Sequence, residues 1–182
     1  LRGSLDYGNR QDCVAPLPRP FSMAPVAPTA PSHTLDLTGR YLYFGNLCDH
    51  ERQYQSEKWL GLALHPTHDR ELEHDARKPL PVPDGSVQKI QSQDVFEHIP
   101  YDALPPILDD IFRALAVGGV FRLSLPDYRS PYLRKRCVYD EEGRVIADLR
   151  MGGSVKYDRA TKQRKVEFAP NGNAHVWFPT FE

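Results

Sequence analysis

The chain has 182 residues, of which 40% are hydrophobic and 26% charged, enough for one core with appendages. Its formal net charge of -1 gives no general argument for nucleic acid or an anionic membrane as a partner, and no apolar run reaches the roughly 20 residues that span a bilayer. Cys13, Cys48 and Cys137 are too widely spaced for a disulfide framework or a CxxC knuckle, and read as independent thiols of an intracellular, reducing compartment.

Residues 1–38 read as a proline-rich, extended arm. "APLPRPFSMAPVAPTAPSH" carries a proline every few residues, and proline fixes φ and removes a backbone donor. The arm serves either as a flexible linker or as a strap across a protein partner, with Phe21, Met23 and Val26 as its apolar contacts. The first residue is Leu1 rather than Met, so a processed or partial chain is expected.

Residues 39–130 carry the globular pattern. "RYLYFG" predicts a short strand stopped by Gly45, "KWLGLALHP" a second ending before Pro66, and "RELEH" a third. Asp49 to Lys58 is a weaker helical stretch between the first two. "SVQKIQSQ" predicts a fourth strand, with Val87 and Ile90 slightly out of strict alternation. Leu104, Ile107, Leu108, Ile111, Phe112 and Leu115 step along one face of a 3.6-residue period and predict a helix. Asp102 suits its N-cap, Pro105 and Pro106 its first turn, and Gly118 the position just past its end. "GGVFRLSLPDY" predicts the clearest strand.

Residues 131–182 change character. "RKRCVYDEEGRVIAD" reads as a hairpin around Glu142-Gly143, and "SVKYDRATKQRKVEF" as another with a charged turn. Both are polar enough to be an insertion over the sheet. "NAHVWFPTFE" adds aromatics and no further element.

Strands alternating with a helix predict an α/β fold with a mostly parallel sheet. Ligands of such sheets bind at the strands' carboxyl ends, here Gly45-Asn46, Leu64-His65, Asp75-Ala76 and Gln93-Asp94. Each residue also has a plain role: Asp75 and Asp127 as turn residues, and Glu97 and His98 as partners of neighbouring backbone. His65, His68 and His74 have no recognised metal-ligand spacing, so no metal is predicted. Cys48 has no identifiable histidine partner for nucleophilic work. Gly118-Gly119 reads as a turn and not a phosphate loop.

An acid-Ala step (Asp75-Ala76) is followed by a Leu-Pro-x-x-Asp-x-Ser loop (Leu80 to Ser86). Then come Glu97-His98, Arg-x-Leu-x-x-Gly-Gly (Arg113 to Gly119) and Pro126-Asp127. In this order the motifs from Tyr41 to Tyr128 resemble class I S-adenosylmethionine (SAM) dependent methyltransferases of the type-11 group. The resemblance implies a Rossmann-like sheet. It implies SAM as cofactor on Gly45, Asp75, Ala76 and Gln93, with Asp94 and His98 nearest the chemistry. Two positions depart from the family. Leu47 stands where the second glycine of Gly-x-Gly is usual, and Ala63 where the ribose-binding acid is usual. The family's closing strands are also missing unless the hairpins replace them, which leaves the fold incomplete at the C-terminus. The expectation is therefore a methyltransferase fold that has lost catalysis and serves as a structural or accessory subunit. The alternative is an active enzyme with a small-molecule or protein acceptor.

Overall fold

The computed structural model describes residues 37, 39–170 and 172–181. The arm read over 1–38 lies outside the described residues apart from Leu37. Five strands make one sheet: β1 (Tyr41–Phe44), β2 (Trp59–Ala63), β3 (Glu71–Glu73), β4 (Val87–Gln93) and β5 (Leu115–Ser124). Their order is β3-β2-β1-β4-β5 and every pairing is parallel, an α/β-like arrangement. Parallel strands place all their carboxyl ends at one edge of the sheet. β1 is central, with Tyr43 registered against Gly61 on one side and Gln91 on the other. Leu42, Phe44, Leu60, Leu62 and Ile90 are buried there, as expected of strands covered on both faces.

The helix α1 (Leu104–Ala114) links β4 to β5 and is preceded by two 3-10 turns, Phe96–His98 and Tyr101–Ala103. It buries Leu104, Ile107, Ile111 and Ala114, while Leu108 is 41% and Phe112 81% exposed. The apolar stripe is thus wider than the contact surface. The sheet covers only part of the helical cylinder, and residues one position round from Ile107 and Ile111 turn outward. Asp102 does not cap the helix. It lies within the second 3-10 turn, and the N-cap is Ala103 without a side-chain bond. The prolines do occupy the first turn.

Gly118 likewise differs from the expected helix terminator. Leu115 already pairs with Val87, and the pairing resumes with Val120 opposite Lys89. Gly118, at φ +78°, and Gly119 form the bulge between. A Cβ on Gly119 would come within 2.8 Å of the Ala116 carbonyl oxygen, so the close backbone approach requires glycine here. The stretch from Asp49 to Lys58 forms turns and no helix.

Both predicted hairpins form. β6 (Cys137–Tyr139) pairs with β7 (Val145–Asp148), and β8 (Gly153–Asp158) with β9 (Gln163–Phe168). A single helical turn, α2 (Pro131–Arg134), precedes them. They make separate two-stranded sheets and do not extend the main one, so among the described residues β5 remains an edge. Val117, Val120 and Leu123 on that edge are exposed. Among the described residues no helix is long and apolar enough to cross a membrane.

Candidate functional site

The strand ends divide the expected site residues into two groups. Asp75 follows β3, whereas Gly45, Gln93 and Asp94 lie at the ends of the neighbouring strands β1 and β4. β3 and β4 stand three strand spacings apart, about 14 Å of sheet.

At β1 the chain turns sharply. Gly45 has φ +109° and its N–H donates to the Leu62 carbonyl at 2.8 Å. Leu47 then points inward and is 3% exposed, with its Cγ 3.5 Å from where a Cβ on Gly61 would stand. The Leu47 N–H donates to Glu71 Oε1 at 2.6 Å. The buried Glu71 also accepts from the Thr67 N–H at 2.6 Å and Asn46 Nδ2 at 2.9 Å. Burial pushes the Glu71 carboxyl up, but the bonds from Thr67, Asn46 and Leu47 outweigh it and hold it below its ordinary value. This carboxylate had no sequence signature. It ties the β1 loop to β3 and uses the donors that a glycine loop would offer a ligand.

Ala63, the expected ribose position, is buried, and its carbonyl accepts from the His74 N–H at 2.9 Å. Beyond it lies a cleft of about 460 Å³ lined by Leu64, His65, Glu73, His74, Asp75 and Lys78. Asp75 is gripped by Arg77: Nη2 lies 2.6 Å from Oδ2, and the Arg77 N–H 3.0 Å from Oδ1. The guanidinium bonds hold the Asp75 carboxyl down at about 2. Ala76 follows in the same turn. At β4, Gln93 Nε2 reaches Glu51 Oε1 at 3.4 Å. Burial, then the charge of Glu51, pushes the Tyr43 phenol well up. Asp94 is exposed and left-handed, at φ +53°, and its N–H donates to the Ser124 carbonyl at 3.1 Å.

His98 faces a different group. Its Nδ1 lies 3.1 Å from the Ala174 carbonyl oxygen, and its ring meets that of His175 edge-on, with centroids 4.6 Å apart. The backbone partner expected for His98 is therefore found, but it comes from the far end of the chain. Glu97 sits between these elements, fully buried, and among the described residues neither carboxylate oxygen has a hydrogen-bond partner. Burial, with the nearby charge of Asp94, raises Glu97 to about 8. His175 Nδ1 is 2.5 Å from the Tyr128 hydroxyl, which donates to Asp148 Oδ2 at 2.8 Å. The same Oδ2 accepts from Arg136 Nε at 2.8 Å. Burial, then the neighbouring His98, lowers His175 to about 4. Among the described residues, the donor atoms of Glu97, His98 and His175 converge within 4.8 Å of one another. His68 is instead engaged with Glu71 at 3.2 Å, and His65 and His74 line the cleft.

His175, Tyr128, Asp148 and Arg136 are not marked in the sequence by any spacing. The one available signal is a lone histidine among apolar residues in "NAHVWFP". A larger cavity, about 800 Å³, lies beside them between the hairpins and the C-terminal segment. Two arginines that line it are neutralised locally, Arg129 by Asp127 and Arg144 by Asp140. In comparisons with known proteins, no family model and no curated protein matches the chain.

Proposed function

We propose that the chain is a methyltransferase-like α/β module that has lost catalysis and serves as a structural or accessory subunit of a protein assembly. The observation that carries this reading is the filled loop after β1. Leu47 packs inward, and its N–H is spent on Glu71. A cofactor tail would have to displace a buried side chain and strip donors from a buried carboxylate. Hydrogen bonds to charged groups are worth about 1.5–3 kcal/mol each. The burial of Ala63 supports the same reading, because no acid is offered to a ribose there. The exposed apolar edge at Val117, Val120 and Leu123 suits contact with another protein chain.

A second reading, an active SAM-dependent enzyme, draws on the cleft that holds Asp75 at the ends of β2 and β3. Its volume falls in the range of small-ligand sites. Calorimetric titration of SAM and S-adenosylhomocysteine into the folded chain separates the two. No heat up to millimolar ligand is the expected result. Micromolar binding of either ligand overturns the accessory reading and calls for an acceptor screen.

A further inference from the structure

We infer that Glu97, His98 and His175 form a binding site for one divalent transition-metal cation of the zinc or ferrous type. This inference does not rest on the methyltransferase-like reading. Two imidazoles and one carboxylate are a ligand set that such cations take. The three donor atoms lie within 4.8 Å of one another. Ligands of a tetrahedral metal stand roughly 3.4 Å apart, given bonds of about 2.1 Å, so small ring rotations would close the set.

The state of each donor fits. Glu97 is fully buried, and among the described residues both its oxygens lack a hydrogen-bond partner, an arrangement that costs free energy unless a donor or a cation fills it. Asp148 Oδ2 receives Arg136 Nε and takes its second bond from the Tyr128 hydroxyl. Tyr128 has then given up its one proton and accepts from Nδ1–H of His175. The Nε2 lone pair of His175 is left pointing to Glu97 Oε1, 3.7 Å away. In His98, Nδ1–H donates to the Ala174 carbonyl, so Nε2 is the atom that would serve as ligand, and the ring also meets the backbone of Asp94 and Asn173. Each histidine therefore has the outer hydrogen bond that fixes tautomer and ring orientation in metal centres. Asp94 adds negative charge acting on both Glu97 and His98. The opposing cation, Arg136, is held by Asp148. Three protein ligands leave at least one coordination position for water or an anion.

The test uses the full chain, stripped with a chelator and dialysed. Zinc is titrated by calorimetry, cobalt(II) by visible absorption, and the melting temperature is followed with and without zinc. The expected result is one equivalent bound, a cobalt spectrum of low coordination number, and a rise of roughly 5–10 °C at saturating zinc. Glu97→Gln and His175→Asn should each weaken binding at least tenfold, while the cleft variant His65→Asn/His74→Asn should bind like the parent. Circular dichroism checks folding, and His98→Asn carries the test if either ligand variant fails to fold. Absence of binding by the folded chain overturns the inference. So does binding that survives the ligand variants, or that disappears in the cleft variant.

Discussion

Nε2 of His175 stands 3.7 Å from Oε1 of Glu97, although one belongs to the turn after β4 and the other to the C-terminal segment. Hydrogen bonds to the backbone of that turn enforce the meeting. The Val176 N–H donates to the Glu97 carbonyl at 2.9 Å, and Trp177 Nε1 to the Phe96 carbonyl at 2.8 Å. The segment is thus docked on the Phe96–His98 turn, and two titratable side chains are pressed together away from solvent. Burial accordingly drives Glu97 up to about 8 and His175 down to about 4.

Glu71 is the buried acceptor that closes the loop after β1. Replacing it with Gln puts an NH2 against donors from Leu47, Thr67 and Asn46 and should cost about 2–4 kcal/mol in urea unfolding. Its folded pKa lies below the ordinary 4.5. Its contribution is therefore complete above that ordinary value and lost as the pH falls through the lowered folded one. The gap in stability between parent and Glu71→Gln should narrow on going from pH 7 into this acid range. A constant gap would show that the carboxylate is not the stabilising species.

Asp148 is fully buried and held by Arg136 and Tyr128. Arg136→Met should destabilise by about 3–5 kcal/mol, because it leaves a buried charge without its ion partner. Tyr128→Phe should cost less, about 1–3 kcal/mol, since it removes the neutral hydroxyl that bonds Asp148 and His175 but keeps the ring and the Arg136 ion pair. Denaturant midpoints check the order. A larger loss for Tyr128→Phe would contradict the assignment of Arg136 as the main partner.

Two glycines should respond differently to Ala. At Gly119 the new Cβ meets the Ala116 and Val87 carbonyl oxygens at 2.8 and 3.1 Å, and a loss of about 1–3 kcal/mol is expected from overpacking. At Gly143 nothing lies within 4 Å, but φ is +78°, so only the conformational cost of about 1–2 kcal/mol applies. Thermal unfolding of the two variants reads the difference. Equal values would mean that the β5 bulge yields freely.

On α1, adjacent residues have opposite environments. Ile111→Ala, at a site 2% exposed, should cost about 2–5 kcal/mol. Phe112→Ser, on the outward face, should change stability by no more than about 0.5 kcal/mol and should lower any self-association seen by analytical ultracentrifugation. A strongly destabilised Phe112→Ser would mean that this face is covered within the chain.

The strand positions were legible because each is a short β-rich run ended by Gly, Pro or a turn residue. β1, β2, β3 and β4 fall where "RYLYFG", "KWLGLALHP", "RELEH" and "SVQKIQSQ" place them. Both hairpins follow from their turn residues, and α1 from its 3.6-residue period. Where local rules compete with packing they lost. Asp102 entered a 3-10 turn, and Gly118 served a strand bulge because Val87 claimed Leu115 for the sheet. The Asp49–Lys58 stretch stayed in turns, lacking an apolar stripe to bury.

The sequence by itself determined the parallel-sheet class and the residues at its strand ends, since both depend on periodicity and on nearest neighbours along the chain. Only the tertiary structure decided that Leu47 turns inward against Gly61 and that Glu71 holds the loop. It alone brought His175 to Glu97 and His98. These are contacts between residues distant in the chain, chosen by which surfaces can be buried together. Periodicity reports which face of an element is apolar and carries no information about what will cover it.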